Sequence, residues 1–319
     1  MKFPEKKTTG LVAATFTPFN EDHTINIAMI PLIVEKMIND GLISIFVCGT
    51  NGEGPNLTMD ERMQIAAEYV KHANRRISII VHVGHTSISE SKKLAAHAQL
   101  IGADAISSVA AFYFKPSSVE NLVQSIAETA AAAPELPYYY YHIPSLTGLN
   151  IDMIDFLKLA DECIPNFAGV KFSSSALHEY MSCLNFKETK FDILWGYDEM
   201  LLGALSIGAK GAVGSTFCFA APLYLKVINL YKDQNLAEAT ALQYKLVEMV
   251  RRVLKYPLVP SQRAVMKMLG FDFGSCRLPL NDLNAHDFQA LKQSLEEIGF
   301  FKLLEENALA VKAEKDFVN

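Results

Sequence analysis

The sequence predicts an α/β fold: a (β/α)8 TIM barrel spanning 1–235, with a C-terminal helical extension over 236–319 packed on it as a single structural unit. Three observations point to it. Short apolar, β-prone runs alternate with amphipathic segments, and there are eight such runs, the number that closes a parallel sheet into a barrel. Helix-start signals fall just behind several of these runs, and beyond residue 220 the pattern turns to helix alone.

In chain order, strands are expected at Leu11–Phe19, Ile43–Thr50, Ile77–Gly84, Ala105–Phe112, Pro137–Pro144, Phe167–Ser174, Phe191–Tyr197 and Gly211–Phe217. Between them, Ile27, Ile30, Val34 and Met37 mark the apolar face of the first helix, and Leu94, Ala98 and Ile101 do so for the third. Thr58-Met-Asp-Glu61, Ser87-Ile-Ser-Glu90 and Ser117-Ser-Val-Glu120 read as capping boxes after the second, third and fourth strands, with hydroxyl and carboxylate each accepting an orphan N–H. Further helices are expected at Pro222–Tyr231, Leu236–Leu254, Ser261–Leu269 and Asp287–Ile298, with Pro257, Pro260 and Pro279 as punctuation. The first of these serves as the eighth barrel helix.

Composition narrows the function. A length of 319 residues suits one barrel plus an extension, and half the residues are hydrophobic, enough for a sizeable core. A net charge of −6 argues against nucleic-acid or membrane-surface partners, which select basic patches. The N-terminal residues lack the apolar stretch of a secretory signal, and no run is long enough to span a bilayer. The five cysteines, Cys48, Cys163, Cys183, Cys218 and Cys276, are scattered and never form C-x-x-C, so reduced thiols in a cytoplasmic protein are expected.

In such a barrel the chemistry sits at the C-terminal ends of the strands. Lys171 stands out there, because it lies in an otherwise uncharged strand, and alternation puts it on one face with Ser173 and opposite Val170 and Phe172. If Val170 and Phe172 pack on helices, Lys171 points into the barrel, where desolvation favours the neutral amine that attacks a ketone to form a Schiff base. The plain alternative is a strand-end lysine whose ammonium reaches solvent. Tyr141 ends the neighbouring strand and could move protons, although Tyr138–Tyr141 also reads as an ordinary aromatic strand. Gly49-Thr50-Asn51-Gly52-Glu53 has the look of an anion cradle built from backbone N–H groups, or of a simple glycine turn. His82-x-x-His85 with His142 could in principle serve a metal hydrolase, but an i, i+3 pair along a strand points to opposite faces. Gly208-Ala-Lys-Gly211 precedes a strand rather than a helix and fails as a dinucleotide fingerprint.

These strand ends, in this order, resemble the N-acetylneuraminate lyase and dihydrodipicolinate synthase superfamily: a G-T-x-G-E turn at Gly49–Glu53, Y-x-I-P at Tyr141–Pro144, G-x-K at Gly169–Lys171 and G-S-T at Gly214–Thr216. The likeness runs from Gly10–Phe19 through the C-terminal helices, and the run Ala131–Pro144 is closest to the lyase branch in its animal form.

The resemblance implies a class I aldolase that reversibly cleaves N-acetylneuraminate to N-acetylmannosamine and pyruvate. It implies Lys171 as the Schiff-base lysine, Tyr141 as the proton-transfer residue, and Thr50 with the backbone of Asn51 as the carboxylate site. Tyr113 matches a tyrosine that reaches a neighbouring subunit's site. Ser173, Gly196, Asp198, Glu199, Gly214 and Ser215 would contact the sugar chain. Homotetramers and an absence of metal or organic cofactor are also implied. Synthases carry arginine where this chain has Leu146, whereas the lyases share the acidic pair Asp198-Glu199, which could also serve simply as N-terminal helix charge. Asn51 departs from the usual Thr or Ser; its N–H survives but a hydroxyl is lost, which bears on carboxylate affinity or substrate range. Two other readings remain open on the residues: a related 2-keto-3-deoxy sugar-acid aldolase, and a non-catalytic sugar-acid binding barrel.

Overall fold

In a computed structural model, which describes residues 7–308, eight strands close into a parallel barrel in strict chain order. They are β1 (Gly10–Ala14), β2 (Ser44–Val47), β3 (Ser78–His82), β4 (Ala105–Val109), β5 (Tyr138–His142), β6 (Phe167–Phe172), β7 (Asp192–Trp195) and β8 (Gly211–Gly214). Around them run α1 (Ile30–Asn39), α2 (Met59–Ala73), α3 (Ile88–Leu100), α4 (Val119–Ala131), the short α5 (Pro144–Thr147), α6 (Met153–Cys163), α7 (Leu177–Leu184), α8 (Leu201–Ser206) and α9 (Phe217–Lys232). The extension contributes α10 (Leu236–Val253), α11 (Leu258–Met268) and α12 (Ala285–Glu297), and residues 300–308 are again helical. No helix among the described residues is long and apolar enough to cross a membrane.

Strand alternation divides the core in two. Val12, Phe46, Ile80, Tyr139, Tyr141 and Leu194 fill the barrel, while Leu11, Ile45, Val81, Tyr140, Val170 and Phe172 face the helices. Both faces are dry, which is why the strands read as nearly continuous apolar runs. The first helix buries Ile30, Ile33, Val34 and Met37, the i, i+3, i+4, i+7 stripe expected of a helix on a sheet.

The expected strands overrun the observed ones at their C-terminal ends. Thr15, Phe16, Thr17 and Phe19 are buried but not in β1; they run beneath the extension, where the Phe19 amide donates to the Phe273 carbonyl and Arg263 to that of Thr17. Burial without sheet pairing mimics a strand in sequence. Pro144 likewise opens α5 instead of ending β5, its missing N–H costing nothing in a first turn.

Of the three capping boxes, the one at Thr58 forms as expected, with both reciprocal bonds to Glu61. Ser87 is an N-cap, but its side chain makes no capping bond; its amide turns instead to His85 Nδ1. The box at Ser117 is displaced by one residue: Ser118 caps the Asn121 amide, and Asn121 Oδ1 reaches back to the Ser117 N–H. The eighth barrel helix starts at Phe217, five residues before the expected Pro222, since that turn is buried all round and carries no helical period.

Candidate active site

The C-terminal strand ends open on a cavity of about 330 Å³ whose wall holds Thr50, Asn51, Tyr141, Lys171, Ser173, Gly196, Asp198, Glu199 and Ser215. Lys171 is 4 % exposed and pairs in register with Tyr141 of β5 and Leu194 of β7. Val170 and Phe172 do pack on the helices, so the chain has turned Lys171 inward. Its Nζ lies 3.9 Å from the centroid of the Tyr141 ring and 4.1 Å from that of Phe46, while the two rings meet edge to face. Among the described residues no carboxylate comes within ion-pairing distance of it. The two aromatic faces exclude water there and can support the positive charge that an iminium would carry.

Thr50 and Asn51 begin the glycine turn after β2. The amides of Glu53 and Gly54 are consumed inside it, on the carbonyls of Thr50 and Gly49, whereas those of Thr50 and Asn51 donate to no acceptor among the described residues. Two unengaged N–H groups beside the Thr50 hydroxyl offer donors of the kind an anion could use. Gly54 is obligatory, because a Cβ there would stand 2.1 Å from the Cys48 carbonyl oxygen. Glu53 takes no part in the cavity wall. It is buried in a left-handed conformation and accepts bonds from Arg263, the Arg277 amide and Asn56, which fastens the turn to the extension.

Across the cavity, β7 and β8 meet through a single pair, Trp195 and Ala212, and Asp198 stitches the seam above it. Its Oδ2 accepts both the Thr216 amide (2.8 Å) and the Thr216 hydroxyl (2.7 Å). Gly214, expected at the sugar, does not reach the wall; a Cβ on it would lie 2.3 Å from Asp198 Oδ1, so its role is clearance for that carboxylate. Gly196 provides similar clearance for the Ser173 hydroxyl, 2.2 Å from where its Cβ would be. Burial pushes both acids up, and Glu199 reaches about 7 through desolvation reinforced by the neighbouring charge of Asp198. Both acids line the cavity, but Asp198 is engaged by Thr216, whereas the Glu199 carboxylate bonds no other residue among those described.

The remaining sequence candidates lie elsewhere. Tyr113 is three-quarters exposed beside the still more exposed Phe114, away from the Lys171 cavity of its own chain. Tyr138 bonds the Ser108 hydroxyl, Tyr140 packs among helices, and Tyr139 donates to Asp192 at the barrel floor. His82 Nε2 accepts the Val109 amide at the end of β4 and His85 Nδ1 that of Ser87 ahead of α3, so both rings brace backbone, and burial holds His142 down to about 4.

The wall also contains residues that strand-by-strand reading missed. From α10 and α11 come Val250, Val253, Leu254 and Leu258, an apolar cover, together with the amide of Gln262. The one signal for them in sequence is Ser261-Gln262-Arg263, three consecutive polar residues in the middle of α11, all 4 % exposed or less.

A buried lysine at a strand end, flanked by a phenol, with the Thr50-Asn51 turn on one wall and Ser173, Glu199 and Ser215 on the other, is an arrangement suited to carbon–carbon lyase chemistry on a TIM barrel. The chain belongs to the Dihydrodipicolinate synthetase family, whose profile matches residues 7–298. It is 43 % identical over 285 residues to N-acetylneuraminate lyase A of Xenopus laevis, covering 88 % of this chain and 93 % of that one. With the N-acetylneuraminate lyase of Rattus norvegicus it shares 38 % identity over 305 residues, 94 % of this chain and 95 % of the other. The solved N-acetylneuraminate lyase (sialic acid aldolase) of Aliivibrio salmonicida superposes with a TM-score of 0.89 at 38 % identity, covering 92 % of this chain and 98 % of that one.

Proposed function

We propose that this enzyme reversibly cleaves N-acetylneuraminate to N-acetylmannosamine and pyruvate through an imine on Lys171. The observation that carries the reading is the placement of the Lys171 amine between the Phe46 and Tyr141 rings, without a carboxylate partner among the described residues. Family membership and the identity to named lyases support it.

The neutral amine attacks the C2 carbonyl of the open-chain keto acid, and loss of water leaves an iminium held between two aromatic faces. The substrate carboxylate takes the Thr50 hydroxyl and the Thr50 and Asn51 amides. Tyr141 accepts the C4 hydroxyl proton as C3–C4 breaks, the electrons passing into the iminium to give an enamine. Protonation at C3 and hydrolysis then release pyruvate. Neither a metal nor an organic cofactor has a step in this route. Ser173, Glu199 and Ser215 serve the hydroxyls of the leaving sugar. Leu146, half exposed where a synthase would hold a second carboxylate with arginine, favours a polyol over a dicarboxylic product. We further take the protein to be a homotetramer of the cytoplasm. An adjoining apolar cavity of about 380 Å³, lined by Thr50, His82, Phe112 and Leu146, suits Tyr113 from a neighbouring copy, and five free thiols suit a reducing compartment.

Borohydride reduction in the presence of pyruvate, followed by peptide mass mapping, tests the reading. An adduct on Lys171 is expected; an adduct on another lysine, or none, overturns it. Turnover of sialic acid against shorter 2-keto-3-deoxy acids then fixes the substrate.

A further inference from the structure

We propose that Gln262, on a helix outside the barrel repeat, is the positioning residue that turns the Ser215 hydroxyl into a hydrogen-bond donor toward the sugar; this rests on the aldolase reading above. Four groups form a chain. Asn51 Nδ2 donates to the Ala14 carbonyl (3.0 Å) and to Gln262 Oε1 (3.2 Å), and Gln262 Nε2 donates to Ser215 Oγ (3.0 Å).

The direction of these bonds follows from one fixed point. A backbone carbonyl can only accept, so the Asn51 atom facing Ala14 must be its NH2. That NH2 also faces Gln262, so the Gln262 atom opposite it is the oxygen. The remaining end of Gln262, its NH2, therefore meets Ser215. A serine oxygen that accepts a hydrogen bond from its positioning partner keeps its own O–H to donate into the cavity, and Ser215 lies on the cavity wall together with Glu199. A sugar hydroxyl both donates and accepts. Glu199 can accept a hydrogen bond from it, and Ser215 can donate one to its lone pair. Without Gln262 the serine hydroxyl would be free to turn into the site as an acceptor, duplicating Glu199 rather than complementing it.

Asn51 belongs to the same logic. Its Nδ2 is committed to Ala14 and Gln262, so this side-chain amide sets the polarity of a bond on the opposite wall, while its backbone N–H is the part proposed for the carboxylate. The C-terminal extension thus enters the site twice. Gln243 of α10 receives the Leu202 amide on its Oε1 and donates to the Glu199 carbonyl, holding the acidic loop as Gln262 holds Ser215.

The discriminating variant is Gln262→Glu. A carboxylate still accepts from Asn51, but it also accepts from Ser215, reversing that one bond while changing the shape little. In the condensation direction, the KM for N-acetylmannosamine should rise about tenfold, while the KM for pyruvate stays within about twofold and the Lys171 adduct still forms. Ser215→Ala should give a similar rise, and the double variant Gln262→Glu, Ser215→Ala should show no further one, because both act through one hydroxyl. Gln262→Met, uncharged and of similar length, covers a glutamate variant that fails to fold; the same split between the two KM values is expected. A wild-type KM for the sugar in a folded Gln262 variant, additive effects in the double variant, or an equal rise in both KM values with a lowered melting temperature would each overturn the assignment. Failure of the wild-type enzyme to take a pyruvate adduct would instead sink the aldolase reading, and this inference with it.

Discussion

The Lys171 nitrogen and the Tyr141 ring stand 3.9 Å apart on directly paired residues of β5 and β6. In a parallel sheet, paired residues project side by side, so one register fixes both the amine and the phenol of the proposed mechanism. The proposed mechanism gives the phenol two separable duties: its face supports a cationic nitrogen, and its hydroxyl moves a proton.

Tyr141→Phe separates them. The ring remains against Lys171 and Phe46, while the hydroxyl goes. We expect kcat for sialic acid cleavage to fall by about 10²–10⁴-fold, the usual worth of a positioned acid–base group, while pyruvate can still be trapped on Lys171. Lys171→Ala should remove both. Stopped assays alongside borohydride trapping check the pair, and full turnover in Tyr141→Phe would assign the proton transfer to another group.

The (β/α)8 plan was legible because both barrel faces are dry and the helices carry a clear apolar stripe, so periodicity and order sufficed. Lys171 was legible for the opposite reason, as a charge in an uncharged strand. Strand ends were not, since Thr15–Phe19 is buried by the extension rather than by pairing, and a sequence does not distinguish the two. Gln262 was invisible at the level of the strand motifs: it lies 211 residues from Asn51, and only barrel closure brings them together. Glu53 was misleading in a useful way, since it sits inside the motif that suggested an anion cradle yet binds Arg263 instead.

That ion pair carries the next prediction. The Glu53 side chain is fully buried and that of Arg263 nearly so, with Nη1 3.3 Å from Oε1. Arg263 also donates to the carbonyls of Thr17, Phe273 and Gly274. Arg263→Met leaves a buried carboxylate with its cation removed, which should cost about 3–5 kcal/mol. The double variant Glu53→Gln, Arg263→Met should recover part of that, because no charge is then stranded. Urea unfolding of the three proteins measures it; equal losses in single and double variants would show that the carbonyl bonds, not the ion pair, dominate.

Glu199 makes stability depend on pH in a direction that can be worked out. Burial and the Asp198 charge hold its carboxyl up to about 7 in the folded chain, from 4.5 in the ordinary state. The folded protein therefore binds this proton more tightly than the unfolded chain does. Its contribution is complete below about pH 4.5 and is lost as pH rises through about 7, where the buried group ionises. The gap converts to roughly 3 kcal/mol at most. Glu199→Gln cannot ionise and should lack this term, so the melting temperature of the wild type should fall relative to that of the variant between about pH 5 and pH 8. The same substitution removes the acceptor proposed for the sugar, so the stabilised variant at pH 8 should also be the weaker binder of N-acetylmannosamine. Parallel melting curves across that pH range would contradict a buried, proton-retaining Glu199 and place its carboxylate in water.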